Sequence, residues 1–236
     1  MESLVPAVLI LAAGRGTRMK SEKPKVLHRL LGQTLVEHAL TAAARLNPEK
    51  VVLVTGFGAE EVEAEVNAFQ SSQAEKQPKL TETIFVRQTE QLGTGHAVAM
   101  ARAALKDYYG PLLIMYGDMP LISSDTLDDF LKVHQSLAAD ISVLTVTLDD
   151  PSAYGRIIRD QDGWLERIVE FRDANEEQRE VKEINSGIYL SEAGKIFAAI
   201  DRLKPVNDQG EYYLTDVVAD FREQGLKAAA VELPRD

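Results

Sequence analysis

The chain has 236 residues, 45% hydrophobic and 27% charged, with no cysteine and a formal net charge of −11. That length allows one large domain or two small ones, and the balance is that of an ordinary soluble globular protein. Lack of cysteine excludes thiol catalysis, disulfides and cysteine-held metals within the chain, and the acidic surface disfavours nucleic acid and anionic membranes as partners.

The apolar run Val5–Leu11 predicts a buried strand over Ala7–Leu11, ending in Leu11-Ala12-Ala13-Gly14-Arg15-Gly16-Thr17-Arg18-Met19 and then Pro24-Lys25. Glycine brings backbone N–H groups close to phosphate oxygens, and cationic side chains add charge-assisted contacts. From Arg15 to Arg29 the bases Arg15, Arg18, Lys20, Lys23, Lys25 and Arg29 face the single acid Glu22. Such a run is most often a solvated patch. Its place directly after a strand and a glycine loop favours anion binding.

Further on, helical patterns over Thr34–Leu46, Ala59–Gln70, Thr94–Leu105 and Ser124–Gln135 alternate with strand patterns over Lys50–Thr55, Thr83–Arg87, Pro111–Tyr116 and Asp140–Thr147. The polar stretch Ser71–Leu80, with Pro78, reads as an exposed loop. After Asp149 the rhythm changes. Tyr154–Arg159, a turn at Asp160–Gly163 and Trp164–Glu170 read as a hairpin, Asp173–Glu180 as a short charged helical excursion, and Glu183–Leu190 as a strand. Helices over Glu192–Leu203 and Leu214–Gln224 follow, the latter closed by Gly225, and Lys227–Leu233 is a last strand. The expected fold is α/β, a mainly parallel mixed sheet with helices on both faces and a small β-rich lobe. No linker divides it, so 1–236 reads as one domain, with a nucleotide-binding part over 1–150 and a substrate lobe over 151–236. No run reaches the ~18 apolar residues of a membrane span, and Met1-Glu2-Ser3 lacks the positive charge of a signal peptide, so a cytoplasmic chain is expected.

Ligands of such sheets bind beyond the carboxyl ends of the strands, which directs attention to the loops after Leu11, Arg87 and Tyr116. The first is neither a Walker A loop nor a full dinucleotide fingerprint, since Met19 occupies the third glycine position. In Gln88–His96 the amide of Gln88 or Gln91 offers donor and acceptor to a pyrimidine imide edge, Gly93 admits backbone to the base, and Thr94 or a neighbour caps the following helix. A polar turn feeding a helix explains the same residues. Asp118, in Tyr116-Gly117-Asp118-Met119-Pro120, is either a magnesium carboxylate or a turn cap ahead of Pro120. None of the four histidines has a partner at metal spacing.

Together these motifs, with Tyr154-Gly155-Arg156, Val169-Glu170, Glu183–Gly187 and Gln209–Asp216, resemble one bacterial family. It is the uridylyltransferase (pyrophosphorylase) half of bifunctional N-acetylglucosamine-1-phosphate uridyltransferase / glucosamine-1-phosphate acetyltransferase. The resemblance spans about Val5 to Val231. It implies a Rossmann-like nucleotidyltransferase that joins UTP and N-acetyl-α-D-glucosamine 1-phosphate into UDP-N-acetylglucosamine and pyrophosphate. By the same resemblance Leu11, Ala12, Ala13, Gly14, Gln88, Gly93 and Thr94 hold the uridine, and Arg18 and Lys25 are the catalytic cations. Asp118, beside Gly117, carries Mg²⁺, while Tyr116, Gly155, Glu170 and Asn185 meet the sugar. The family's β-helix acetyltransferase domain and an asparagine segment that completes its metal site do not occur in these residues, so a monomer is expected in this form where the family forms trimers. Another sugar or alcohol phosphate, and a regulatory module that binds a sugar nucleotide without turnover, are the alternatives.

Overall fold

The computed structural model describes residues 5–16, 19–73 and 82–232. In chain order the strands are β1 (Ala7–Ala12), β2 (Arg29–Leu30), β3 (Gln33–Thr34), β4 (Val51–Thr55), β5 (Thr83–Arg87), β6 (Pro111–Tyr116), β7 (Ile141–Thr147), β8 (Arg156–Arg159), β9 (Leu165–Val169), β10 (Glu183–Glu192) and β11 (Ala228–Glu232). The helices are α1 (Leu35–Ala44), α2 (Ala59–Gln73), α3 (Thr94–Met100), α4 (Ser124–Leu137), α5 (Glu176–Arg179), α6 (Ala193–Ile200) and α7 (Asp216–Glu223).

Every residue of β1 is buried, so the strand must be covered on both faces. Its side chains alternate accordingly. Ala7, Leu9 and Leu11 enter a core shared with α3, α6 and α7, whereas Val8, Ile10 and Ala12 enter a second core shared with α1, α2 and α4. Each fully buried Leu or Ile here contributes about 1.5–3 kcal/mol. The main sheet runs β11-β7-β10-β6-β1-β4-β5, with the β8–β9 hairpin attached through β10, while β2 and β3 form a separate small hairpin. Pairs β1–β4, β1–β6, β4–β5 and β7–β11 are parallel, and β10 is antiparallel to both β6 and β7. The expected α/β class with helices on both faces is thus the observed one. Strand β10 lies inside the main sheet, so the later residues are woven into the earlier ones.

Local chemistry sets the helix ends. Thr34 accepts from the Glu37 N–H at 3.4 Å while the Glu37 carboxylate accepts from the Thr34 N–H at 2.5 Å, a capping box. At the end of α7, Gly225 donates to the Arg222 carbonyl at 3.0 Å and Leu226 to the Phe221 carbonyl at 2.9 Å, which is the Schellman arrangement expected of a C′ glycine. Two expectations need correction. Ser71–Gln73 belong to α2 rather than to a loop, and the Ser71 and Ser72 hydroxyls donate back to the carbonyls of Asn67 and Phe69; residues 74–80 of the expected loop lie outside the described residues. Helix α3 ends at Met100 rather than Leu105, and the chain continues in turns that sink Ala101, Leu105 and Tyr108 into the core. Among the described residues no helix is long and apolar enough to cross a membrane.

Replacing Thr34 by alanine removes the oxygen that caps α1. Urea unfolding should report a loss of about 1 kcal/mol; an unchanged midpoint contradicts the cap.

Candidate active site

In-register pairing brings the chemistry to one edge. Leu11 of β1 pairs with Tyr116 of β6, and Ala12 with Thr55 of β4, so the loops after β1, β4 and β6 open side by side beyond the carboxyl ends. There a cavity of about 310 Å³ is lined by Leu11, Ala12, Ala13, Gly14, Lys25, Gln88, Gly93, Thr94, Tyr116 and Asp118, all expected from the sequence. Gly16, Val26, Gln91, Ala97 and Glu211 complete the wall. Gly117 stands just behind it, donating its N–H to the Leu11 carbonyl at 2.9 Å and extending the β1–β6 ladder to the residue before Asp118. Arg18, expected beside Lys25, lies outside the described residues.

The glycine loop and Lys25 are built against each other. Gly16 has a φ of +64°, and a Cβ there would stand 2.6 Å from the Lys25 Cβ, so neither the conformation nor the space suits another residue. Lys25 opens a 3₁₀ turn after Pro24, and the buried Val26 and Leu27 of that turn anchor it. Its ammonium pairs with the Asp118 carboxylate, which settles Asp118 as a side chain turned into the cleft rather than a turn cap. Among the described residues no atom lies within 4 Å of a Cβ built on Gly14, so they leave this stretch of backbone bare.

The amide of Gln88 is oriented by its neighbours. Its Nε2 donates to the Gly93 carbonyl at 3.1 Å and to His96 Nδ1 at 3.0 Å, which places the His96 proton on Nε2. The side chain is buried, and its Oε1 remains the acceptor half of the amide. Gly93, not Thr94, is the N-cap of α3, with a φ of +106° and no side-chain bond. A Cβ on Gly93 would stand 2.6 Å from the Tyr212 carbonyl oxygen, so the backbone of Tyr212 takes the room a side chain would need. Tyr212 donates to Leu92 at 2.8 Å and accepts from Gly95 at 2.7 Å. Thr94 instead accepts from the Leu214 N–H at 2.9 Å.

Gly155, Glu170 and Asn185 do not line this cavity; they sit together beyond Tyr116. The Asn185 N–H donates to the Gly155 carbonyl at 2.9 Å, and a Cβ on Gly155 would approach the Glu170 carboxylate at 3.5 Å. At the β10 bulge the Asn185 amide bonds the Tyr189 hydroxyl at 2.7 Å and accepts from the Gly187 N–H at 2.8 Å. Burial raises the Tyr116 hydroxyl far above its usual range, and the charges of Glu170 and Asp118 raise it further, so this residue joins the two halves of the site. Burial likewise raises Glu170, opposed by a 3.3 Å bond from Thr215. Asp216 is pushed up to about 6 by burial and then by the charge of Asp173. Thr215, Asp216 and Glu211 were given no individual role from sequence. Glu211 lies in an irregular segment, Thr215 precedes α7 and Asp216 opens it, and their place in the Gln209–Asp216 motif does not single them out.

A second cavity of about 460 Å³, between Gly56–Glu61 and Arg87–Gln91, shares Gln88 and Gln91 with the first but touches neither Lys25 nor Asp118. The cleft with the ammonium–carboxylate pair is therefore the candidate for phosphate chemistry.

An α/β sheet carrying such a cleft at the carboxyl ends of its central strands has the form of a nucleotide-using transferase. The MobA-like NTP transferase domain pattern matches residues 8–181, and the chain belongs to that family. It is 44% identical over 225 residues to the bifunctional protein GlmU of Streptococcus gordonii, covering 95% of this chain and 46% of that protein. It is 42% identical, with the same coverage, to the bifunctional protein GlmU of Levilactobacillus brevis. The chain thus spans about half the length of the curated relatives it matches. In structure it resembles UDP-glucose pyrophosphorylase complexed with UDP-glucose, with a TM-score of 0.79 over 97% of this chain and 90% of that one, at 19% identity. The apo form of UDP-glucose pyrophosphorylase gives a TM-score of 0.77 at 20% identity, with the same coverage.

Asp216 offers a test of the buried acids. A carboxyl whose pKa is raised on folding binds more protons folded than unfolded, so it opposes folding increasingly as pH rises from about 4 to 6. Asp216→Asn should raise the melting temperature at neutral pH and change it less at acid pH. An equal shift at both contradicts the raised value.

Proposed function

We propose that this chain is a uridylyltransferase that makes UDP-N-acetylglucosamine and pyrophosphate from UTP and N-acetyl-α-D-glucosamine 1-phosphate. The observation that carries the reading is the meeting of Lys25, Asp118, the bare backbone at Gly14 and the Gln88 acceptor in one cleft. The likeness to GlmU proteins supports the choice of sugar and base. With its Nε2 committed to Gly93, the Gln88 Oε1 accepts from the imide N–H of uracil, a donor that cytosine lacks at that position. Gly155, Glu170 and Asn185 receive the sugar and its acetamido group.

The reaction needs no general base. A sugar phosphate is already anionic at neutral pH; its oxygen attacks the α-phosphorus of UTP, a new P–O bond forms, and the bond to the β-phosphate oxygen breaks as pyrophosphate leaves. Catalysis is then alignment plus neutralisation of charge on the phosphate oxygens. Lys25 turns from Asp118 to those oxygens, Arg18 adds a second cation, and Gly14 offers its N–H.

The Asp118 carboxylate faces the cleft with a cation already against it, which suits a divalent ion. Magnesium is held by one or two carboxylates together with substrate phosphates and water. Among the described residues no cluster of three or more His, Asp or Glu side chains could hold a metal without substrate. Asp118 would hold Mg²⁺, which when bound supplies further charge neutralisation at the phosphates. The acidic surface, with a net charge of −11, fits small-molecule substrates in a cytoplasmic setting rather than nucleic acid or membrane.

Pyrophosphate release from UTP plus N-acetylglucosamine 1-phosphate with Mg²⁺ tests the reading. Turnover with this pair is expected; turnover with glucose 1-phosphate alone would move the assignment to another sugar, and binding of UDP-sugar without turnover would make the chain a regulatory module. Lys25→Ala should lower kcat by ~10²–10³, the scale of one lost transition-state donor. Wild-type turnover in that variant removes Lys25 from the mechanism.

A further inference from the structure

Gln91 lines the cleft as Gln88 does, but where the Gln88 amide holds the carbonyl of Gly93, five residues on, that of Gln91 reaches across to the glycine loop. Its Nε2 donates to the Ala13 carbonyl at 3.0 Å, joining residues 78 apart in sequence. The Phe57 N–H donates to the same oxygen at 3.2 Å, so the carbonyl is held from two sides. Gly56 closes the space behind it, for a Cβ there would stand 2.7 Å from that oxygen. The next residue, Gly14, has no side chain to resist rotation of the peptide, and none of the described residues closes its outer face.

A trans peptide is planar, with the N–H antiparallel to the carbonyl. Fixing the Ala13 carbonyl towards Gln91 and Phe57 therefore fixes the Gly14 N–H in the opposite sense. Were the same peptide to turn over, it would present a carbonyl oxygen, rather than a donor, to an anionic ligand. We propose that Gln91 is a positioning residue: it clamps the Ala13–Gly14 peptide so that the Gly14 N–H serves the nucleotide, and it does not read the base. This rests on the nucleotide reading above and divides two glutamines that residue type alone leaves equivalent. Gln88 selects the base, and Gln91 holds the loop.

Gln91 is exposed, so its amide can be removed without opening the core. In Gln91→Met the KM for UTP should rise about fivefold, the scale of one net hydrogen bond, with kcat within about threefold of wild type. The kcat/KM for CTP should fall by the same factor as that for UTP, and the KM for sugar phosphate should stay unchanged. Gln91→Lys, which restores a donor, should recover most of the loss, and both variants should melt with the wild type. A changed UTP-to-CTP preference in Gln91→Met would make Gln91 a base reader and overturn the proposal. So would an unaltered KM for UTP, or a loss shared by sugar phosphate and melting temperature. Direct binding of UTP by calorimetry, without sugar phosphate, separates the two readings. Wild type that binds UTP without turnover counts against the transferase reaction, while the variant-to-wild-type ratio of Kd still judges the clamp.

Discussion

Everything at the site depends on the parallel register that locks β1 between β4 and β6. Leu11 faces Tyr116 and Ala12 faces Thr55 across continuous ladders, and Ala7 to Ile10 are wholly excluded from solvent. A strand so placed cannot shift by one residue without exchanging its two apolar faces, and both faces are already filled. Its end is therefore fixed in space. The Gly117–Leu11 hydrogen bond carries the ladder one step further, which sets Asp118 opposite the glycine loop and within reach of Lys25. The position of the charged pair follows from hydrophobic packing several residues away.

The two halves of the site differ in their balance of charge. Around the loop after β1 the chain gathers cations against an overall excess of acid. Beyond Tyr116 it buries carboxyls, with Glu170 and Asp216 held above their usual range by loss of solvent. An anionic phosphate suits the first environment, and under the proposed reading the second, with its hydrogen-bonded carboxyls, receives the uncharged sugar ring. The two halves are mechanically joined by the irregular segment that includes Tyr212 and Thr215. Tyr212 exchanges backbone hydrogen bonds with Leu92 and Gly95, Leu214 donates to Thr94, and Thr215 reaches Glu170. The backbone that fills the missing side chain of Gly93 is thus continuous with the backbone that supports Glu170.

What could be read in the sequence is what rests on local periodicity and on residue type. The all-apolar β1, the alternation of strands and helices and the terminal glycine at Gly225 each carry their signal within a few neighbouring residues. One rule about strand ends points to the loops after Leu11, Arg87 and Tyr116, and the family resemblance picks out the residues within them. Non-local pairings are where that reading stops. Thr94 has the chemistry of a helix cap, but its hydroxyl is claimed by Leu214, and a left-handed glycine takes the cap instead. Gln88 and Gln91 carry the same amide, and only the fold shows that one faces Gly93 and the other Ala13. The segment around Glu211 forms no regular element, so no period marks it, although it walls the cleft.

The most direct measurement is a crystal structure of this protein soaked with UDP-N-acetylglucosamine and Mg²⁺. The account requires the uracil against Gln88 and Gly93, the diphosphate beside Gly14, and the Lys25–Asp118 pair parted by the ligand. Product lodged in the cavity beside Arg87, with Lys25 still resting on Asp118 and the cleft unfilled, would contradict it.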